Sequence, residues 1–287
     1  ISTKRFAADR SHWLLASPLV AVLALFLILP IATIVVVSFW DYNEFNFFPA
    51  FVFENYRYLL TSQVTLDTYL KTLKFVVLTW VFCAAIGFTV AYFLAFHVRS
   101  LPMQIILFLV CTVPFWTSNI IRMISWIPFL GRNGIANTTL QEVGLIDEPL
   151  EWLLFSDFAV VLAFVHLYAL FMVVPIFNTM MRIDRSRIEA ARDAGASGFQ
   201  ILTNVIVPLT KPGIMIGSIF VVTLVMGDFI TVRFMSGGQS ASVGRVISNE
   251  IALLQYPAAA ASAVVLLITV LLLISIMMRF VDIRKEL

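Results

Sequence analysis

Glu189-Ala190-Ala191-Arg192-Asp193-Ala194-Gly195 is a charged, alanine-rich stretch set between long apolar runs and followed by Pro208 and Pro212. Ser186 with Glu189 three residues on fits the reciprocal cap of a helix start, and Ser197 with Gln200 repeats the pattern. Gly195 lies between the two, where a helix C-terminus wants a residue free to take positive φ. The segment therefore reads as helix, sharp turn, helix, with Pro208 and Pro212 setting the approach to the next apolar run. Ala190, Ala191 and Ala194 give the first helix a low face on which another protein's backbone can sit, with Arg185, Arg187, Arg192 and Glu189 around it. Charge alone favours a solvated loop on the basic side of a membrane. The paired caps and the Ala-Ala-x-x-x-Gly spacing argue for a rigid, shaped element.

The chain around this segment is 61% hydrophobic and 13% charged over 287 residues, with mean hydropathy +0.96. Soluble domains carry roughly 25% charged residues, so the solvent for most of this chain is lipid. A membrane helix needs about 20 apolar residues, and six windows qualify: 13–40, 75–96, 101–121 with an extension to 126, 158–181, 213–232 interrupted only by Asp228, and 251–278 beginning near Pro257. Pro114 and Pro175 fall inside windows and are expected to kink them. With both termini cytoplasmic, 12 of the 19 Lys and Arg residues lie inside, among them Lys4, Arg5, Arg10, Arg99, Arg182, Lys211, Arg279, Arg284 and Lys285. Most of the acids crowd the first two outside loops, from Asp41 to Asp157. That asymmetry orients the chain and makes 182–212 cytoplasmic.

The expected fold is all-α and polytopic. An interfacial segment 1–12 precedes a six-helix domain 13–281, and a tail 282–287 follows. Residues 1–12 suit a short amphipathic helix on the inner surface, or a disordered basic tail. The chain starts at Ile1 rather than Met, so a few residues are expected to precede it; the first apolar run is too long for a signal peptide. The aromatics of 41–70, from Tyr42 to Tyr58, suit an interfacial belt or a surface for an external protein. Cys83 and Cys111 read as packed thiols.

Glu189-Ala190-Ala191, three residues, Gly195, nine residues, then Val205-Ile206-Val207-Pro208 resembles the EAA loop of ABC importer permeases. The family pattern prefers Ile at 205 and Leu at 207, where this chain has Val. The resemblance implies the type I importer, or MetI-like, transmembrane domain in a bacterial inner membrane. It also implies that this loop is a coupling helix docked in a cleft of an ATP-binding subunit, with Glu189, Ala190, Ala191, Asp193, Gly195 and Pro208 at the contact. Implied partners are a second homologous permease chain in a heterodimer, two ATP-binding subunits carrying ATP and Mg, and an extracytoplasmic solute-binding protein. Leu130-Gly131-Arg132-Asn133-Gly134, Gly227-Asp228-Phe229-Ile230 and Phe234-Met235-Ser236-Gly237-Gly238 resemble spermidine/putrescine-type permeases, which implies a small cationic solute. Permeases for opines, amino-acid-like solutes and ferric iron share much of the pattern.

What is missing also bounds function. No G-x-x-x-x-G-K-[ST] is present, so ATP must bind elsewhere, and the chain is expected to hold no cofactor. Neither G-x-S-x-G, H-E-x-x-H nor a paired-cysteine cluster occurs, so a serine hydrolase, a zinc enzyme or any resident metal is not expected. The net charge of +2 suggests no nucleic-acid partner. Asp228 is the one acid in a window, and acids in spans face interiors or water and often carry function. It either meets a cationic solute, pairs with Arg233, or marks the outer end of a shorter helix. Asn119, Arg122 and Trp126 are further pathway candidates, with packing or interfacial anchoring as the alternative. His166, deep in a window, is expected to make an interhelical hydrogen bond. An ATP-independent secondary transporter remains a rival, though no inverted repeat or pair of broken helices is evident.

Overall fold

In the computed structural model, residues 17–43 and 46–279 are described. The expectations for 1–12 and 282–287 lie outside them. In chain order the helices are α1 Ser17–Val37, α2 Glu54–Thr61, α3 Gln63–His97, α4 Leu101–Trp116, α5 Asn119–Leu130, α6 Ile135–Glu142, α7 Asp157–Met180, α8 Arg185–Asp193, α9 Gly198–Gly227, α10 Ile230–Met235, α11 Val243–Ala252 and α12 Tyr256–Met278. Strands β1 Asp41–Tyr42 and β2 Phe47–Phe48 pair antiparallel, with Asp41 opposite Phe48 and Tyr42 opposite Phe47. Five helices, α1, α3, α7, α9 and α12, are each long and apolar enough to cross a membrane, and the bent pair α4 with α5–α6 makes six if it counts as one span.

The chain divides into two compact units, residues 1–62 with 247–267 and residues 63–246 with 268–287. In the first unit, α1 is apolar all round and none of its membrane window is buried among the described residues, the pattern of a helix solvated by lipid or by another subunit. After it, Phe39 stacks on Phe51 with ring centroids 5.1 Å apart, and the edges of Phe53 and Tyr56 close around Phe39. Ser38 Oγ and Tyr56 OH share a hydrogen bond of 2.6 Å, and Asn55 donates to the carbonyls of Ser38 and Trp40. The aromatic loop is thus a fixed knot whose outer rings, Phe51 and Phe53, remain exposed.

The core of the second unit is the mutual packing of α3, α7 and α9. α7 begins with Ser156, whose side chain accepts from Ala159 N–H, and with Asp157 in its first turn, a charge complementary to the helix dipole. It buries Ala163, Phe164, Met172 and Ile176 and runs on through Pro175. Gly213 of α9 allows the closest approach: a Cβ there would lie 2.5 Å from the Pro175 carbonyl oxygen and 3.0 Å from Ile176 Cα. Small residues let membrane helices meet backbone to backbone in this way.

Three expectations about the spans are corrected. The third window is not one kinked helix: α4 ends in a 3₁₀ turn at Val113–Trp116, and α5 leaves at 87° to it. Pro114 has no N–H to continue the α ladder; the chain tightens there into the 3₁₀ turn and leaves helix at Thr117, which is extended. The fifth window is displaced toward the N-terminus, because α9 starts at Gly198 and stops at Gly227, with Asp228 as its C-cap rather than an interior residue. Pro208 and Pro212 consequently lie within α9 instead of leading into it. A π-helical turn, Leu202–Ile206, precedes Pro208 and widens the ladder where a proline must fit.

Candidate functional site

The charged segment forms α8 and the start of α9. Its first cap differs from the expected one. Asp184 is the N-cap of α8 and accepts from Ser186 N–H at 3.0 Å, while Ser186 is inside the helix. An Asp two residues earlier competes successfully because its carboxylate accepts backbone amides more strongly than a hydroxyl does. That hydrogen bond from the Ser186 backbone is the chief reason the Asp184 carboxyl is held below its ordinary range. The second cap is as expected: Ser197 Oγ accepts from Gln200 N–H at 3.3 Å, and Gln200 Oε1 accepts from Ser197 N–H at 2.8 Å. Between them Gly195 takes φ +83°, with Ala194 N–H bonded to the Ala190 carbonyl and Ala196 N–H to that of Ala191. Side chains disfavour this left-handed conformation, so glycine makes the reversal possible. Glu189, Ala190, Asp193 and Gly195 are exposed and Ala191 is half-buried. The loop is a preformed knob with a small-residue face open to a partner.

The other candidates sort into two groups. Arg122 is buried, donates from Nη2 to Asn119 Oδ1 at 2.6 Å, and leaves Nε without a hydrogen-bond partner. Trp126 Nε1 donates to His166 Nδ1 at 3.0 Å, the interhelical bond expected of His166. Arg122, Trp126 and His166 line a cavity of about 440 Å³ together with Pro114, Thr117 and Ser125. The cavity exists because α4 breaks: a continuous third helix would have filled it. Asn119, Arg122 and Trp126 are therefore brought together.

Asp228 belongs to a separate cluster. Tyr168 donates to its Oδ2 at 2.5 Å, Thr231 Oγ1 donates to Oδ2 at 2.7 Å and Thr231 N–H to Oδ1 at 2.8 Å. Among the described residues no ion pair joins Asp228 to Arg233. The carboxylate caps the start of α10 and ties it to α7. Tyr168 and Thr231 went unnoticed in the sequence, although an acid at a span end demands donors and each carries a hydroxyl close to that end. Equally unforeseen is the group at the start of α7, where Asp157 accepts from Lys74 at 2.8 Å and from Ser240 at 2.5 Å. In the first unit, Glu250 is half-buried, with Ser262 on Oε1 and no hydrogen bond to Oε2. Burial pushes its carboxyl above the usual range, partly offset by Ser262. Cys83 and Cys111 are free thiols. Among the described residues no group of three or more His, Cys, Asp or Glu side chains is placed to hold a metal ion.

Residues 84–285 match the family described as binding-protein-dependent transport system inner membrane component. The spermidine/putrescine transport system permease protein PotB of Salmonella typhimurium (strain SL1344) is 34% identical over 228 residues, covering 78% of this chain and 77% of its own. PotB of Haemophilus influenzae is 34% identical over 237 residues, covering 80% of each. One chain of a bacterial alginate ABC transporter, solved in complex with an alginate-pentasaccharide-bound periplasmic protein, superposes with a TM-score of 0.71 at 15% identity, covering 96% of this chain and 94% of its own. At that identity the likeness speaks for the fold.

Proposed function

Because the chain belongs to the family of binding-protein-dependent transport system inner membrane components, we propose that it is the permease subunit of an ATP-driven polyamine importer in a bacterial inner membrane. It is a multi-pass transport component without an ATPase site of its own. The observation that carries the reading is the preformed knob of α8, capped at both ends and reversed at Gly195, within a sequence 34% identical to spermidine/putrescine permeases. In this reading the chain crosses the membrane six times with both termini cytoplasmic, and the bent α4–α5 pair is the third span. It forms half of a translocation pathway with a homologous permease. Two ATP-binding subunits lie beneath and an extracytoplasmic binding protein above.

The mechanism we assign is alternating access. Glu189, Ala190, Ala191, Asp193 and Gly195 sit in the ATP-binding subunit's cleft, and Pro208 stiffens the base of α9 behind them. Closure of the ATP-binding dimer moves the knob as a lever and shifts the bundle between states, which requires that the contact differ in free energy between them. In this reading the 440 Å³ cavity beside Arg122 and Trp126 and the Asp228 cluster belong to the pathway, as polar groups in an otherwise apolar bundle. The test is uptake of labelled spermidine into vesicles holding the complete assembly. Transport that requires internal ATP and the binding protein supports the reading; transport driven by an ion gradient alone replaces it with a secondary carrier.

A further inference from the structure

A cavity of about 340 Å³ lies between the end of α3 and the inner side of α8, lined by Arg99, Arg185, Arg192, His97 and Glu189. Phe96, Ile188 and Ile201 supply its apolar floor. The three arginines arrive from different places: Arg99 from the link just after α3, Arg185 from the first residue of α8, and Arg192 from its last turn. Among the described residues none of the three makes a side-chain ion pair. Glu189 is four residues from Arg185 and three from Arg192, yet it neutralises neither. Three guanidinium groups around one carboxylate leave the cavity with a surplus of positive charge, and near a low-dielectric boundary such a surplus attracts an anion strongly.

The position specifies the anion. Arg99 follows one membrane-crossing helix, α3, by two residues, and Gly198, also in the lining, begins another, α9. The cavity therefore sits at the level where a membrane helix meets the polar headgroup layer. Guanidinium groups bind phosphate oxygens through paired hydrogen bonds. Phe96, Ile188 and Ile201 offer apolar contact to an acyl chain, from which a soluble ion would gain nothing. We propose that this crevice binds the phosphate headgroup of an anionic phospholipid, wedged between α3 and the coupling helix α8. The lipid would brace α8 from behind while its outer face contacts the ATP-binding subunit, so coupling would depend on the charge of the inner leaflet. This rests on the cytoplasmic placement of α8 proposed above.

The test uses the complete transporter in nanodiscs of phosphatidylcholine with a minor fraction of phosphatidylglycerol, and counts retained phosphatidylglycerol by native mass spectrometry. Wild type should retain it over phosphatidylcholine, and Arg99→Gln should weaken retention about fivefold, the effect of one basic residue near an anionic leaflet. Arg99→Lys, which keeps the charge, should restore most of it and controls for assembly. Equal retention by wild type and an assembled Arg99→Gln complex overturns the proposal. Displacement of the lipid by inorganic phosphate would make the occupant a soluble anion and also overturns it. So would a cross-link from Arg99→Cys to the ATP-binding subunit in place of lipid. Labelling of Arg99→Cys by an impermeant maleimide from the outer side of sealed cells would instead refute the orientation, and so separates the failure of the proposed function from that of the lipid site.

Discussion

Tyr168 and Asp228 meet across 2.5 Å, joining the middle of α7 to the end of α9. With the two bonds from Thr231 the carboxylate is an acceptor for three donors, so it organises a helix end before it can serve a solute. Asp228→Asn removes the charge and reverses part of the bonding, whereas Tyr168→Phe keeps the charge and frees one oxygen lone pair. If Asp228 contacts a cationic solute, Asp228→Asn should lower spermidine uptake several-fold and Tyr168→Phe much less. Equal losses in uptake and thermal stability, on the order of 1–3 kcal/mol for each buried partner removed, would make the pair purely structural.

Gly195 should tolerate no side chain without strain, since its φ is +83°. A left-handed residue with a Cβ costs roughly 1–2 kcal/mol, and Gly195→Asp adds a negative charge beside the knob. We expect Gly195→Asp and Glu189→Lys to leave the chain inserted but to abolish binding-protein-stimulated ATPase and uptake in reconstituted complex. Normal stimulated ATPase in either variant would separate α8 from coupling.

Gly213→Ala probes the core. Its Cβ would stand 2.5 Å from a backbone oxygen on α7, which cannot move as a side chain can. Overpacking of this kind costs about 1–3 kcal/mol. A lowered melting temperature in detergent is the expected result. An unchanged one would mean that α7 and α9 are further apart than described.

Glu250 provides a pH signature. Its carboxyl is raised by burial, so the folded chain holds the proton more tightly than the unfolded chain. Its contribution to stability is therefore fully present below the ordinary carboxylate range and is lost as pH rises through the raised value. Melting temperature should fall across that interval in wild type, and Glu250→Gln should flatten the profile. A profile that Glu250→Gln leaves unaltered would assign the slope to another group.

The sequence was informative where a local rule acts alone. The Ser197–Gln200 cap and the positive φ of Gly195 depend on residues within four positions of each other, and both are where they were expected. The long apolar runs of α7 and α12 were legible to within a few residues. Competition between neighbours was harder to read. Asp184 displaced Ser186 as N-cap because both could serve and the carboxylate is the better acceptor. Pro114 tightened its helix into a closing 3₁₀ turn where apolar composition would have continued it, whereas Pro175 did not interrupt α7, which is clamped on two sides by α3 and α9. Apolarity that persists beyond Gly227 left Asp228 open between an interior position and the end of a shorter helix; its extended backbone decides for the end. The cavity beside Arg122 and Trp126 was out of reach because it is made by the break itself.

That break bears on how the subunit survives before assembly. The first amides of α5 have no helical partner, as at any helix start, and its N-cap Ser118 makes no side-chain hydrogen bond to them. In hydrocarbon each such group costs several kcal/mol, so the amides at the start of α5, from Asn119 to Ile121, need water or a neighbouring protein at their depth. If the break lies at bilayer depth, a chain inserted without a partner over this face has to admit water there, and the cavity lined by Thr117 is the space through which it would come.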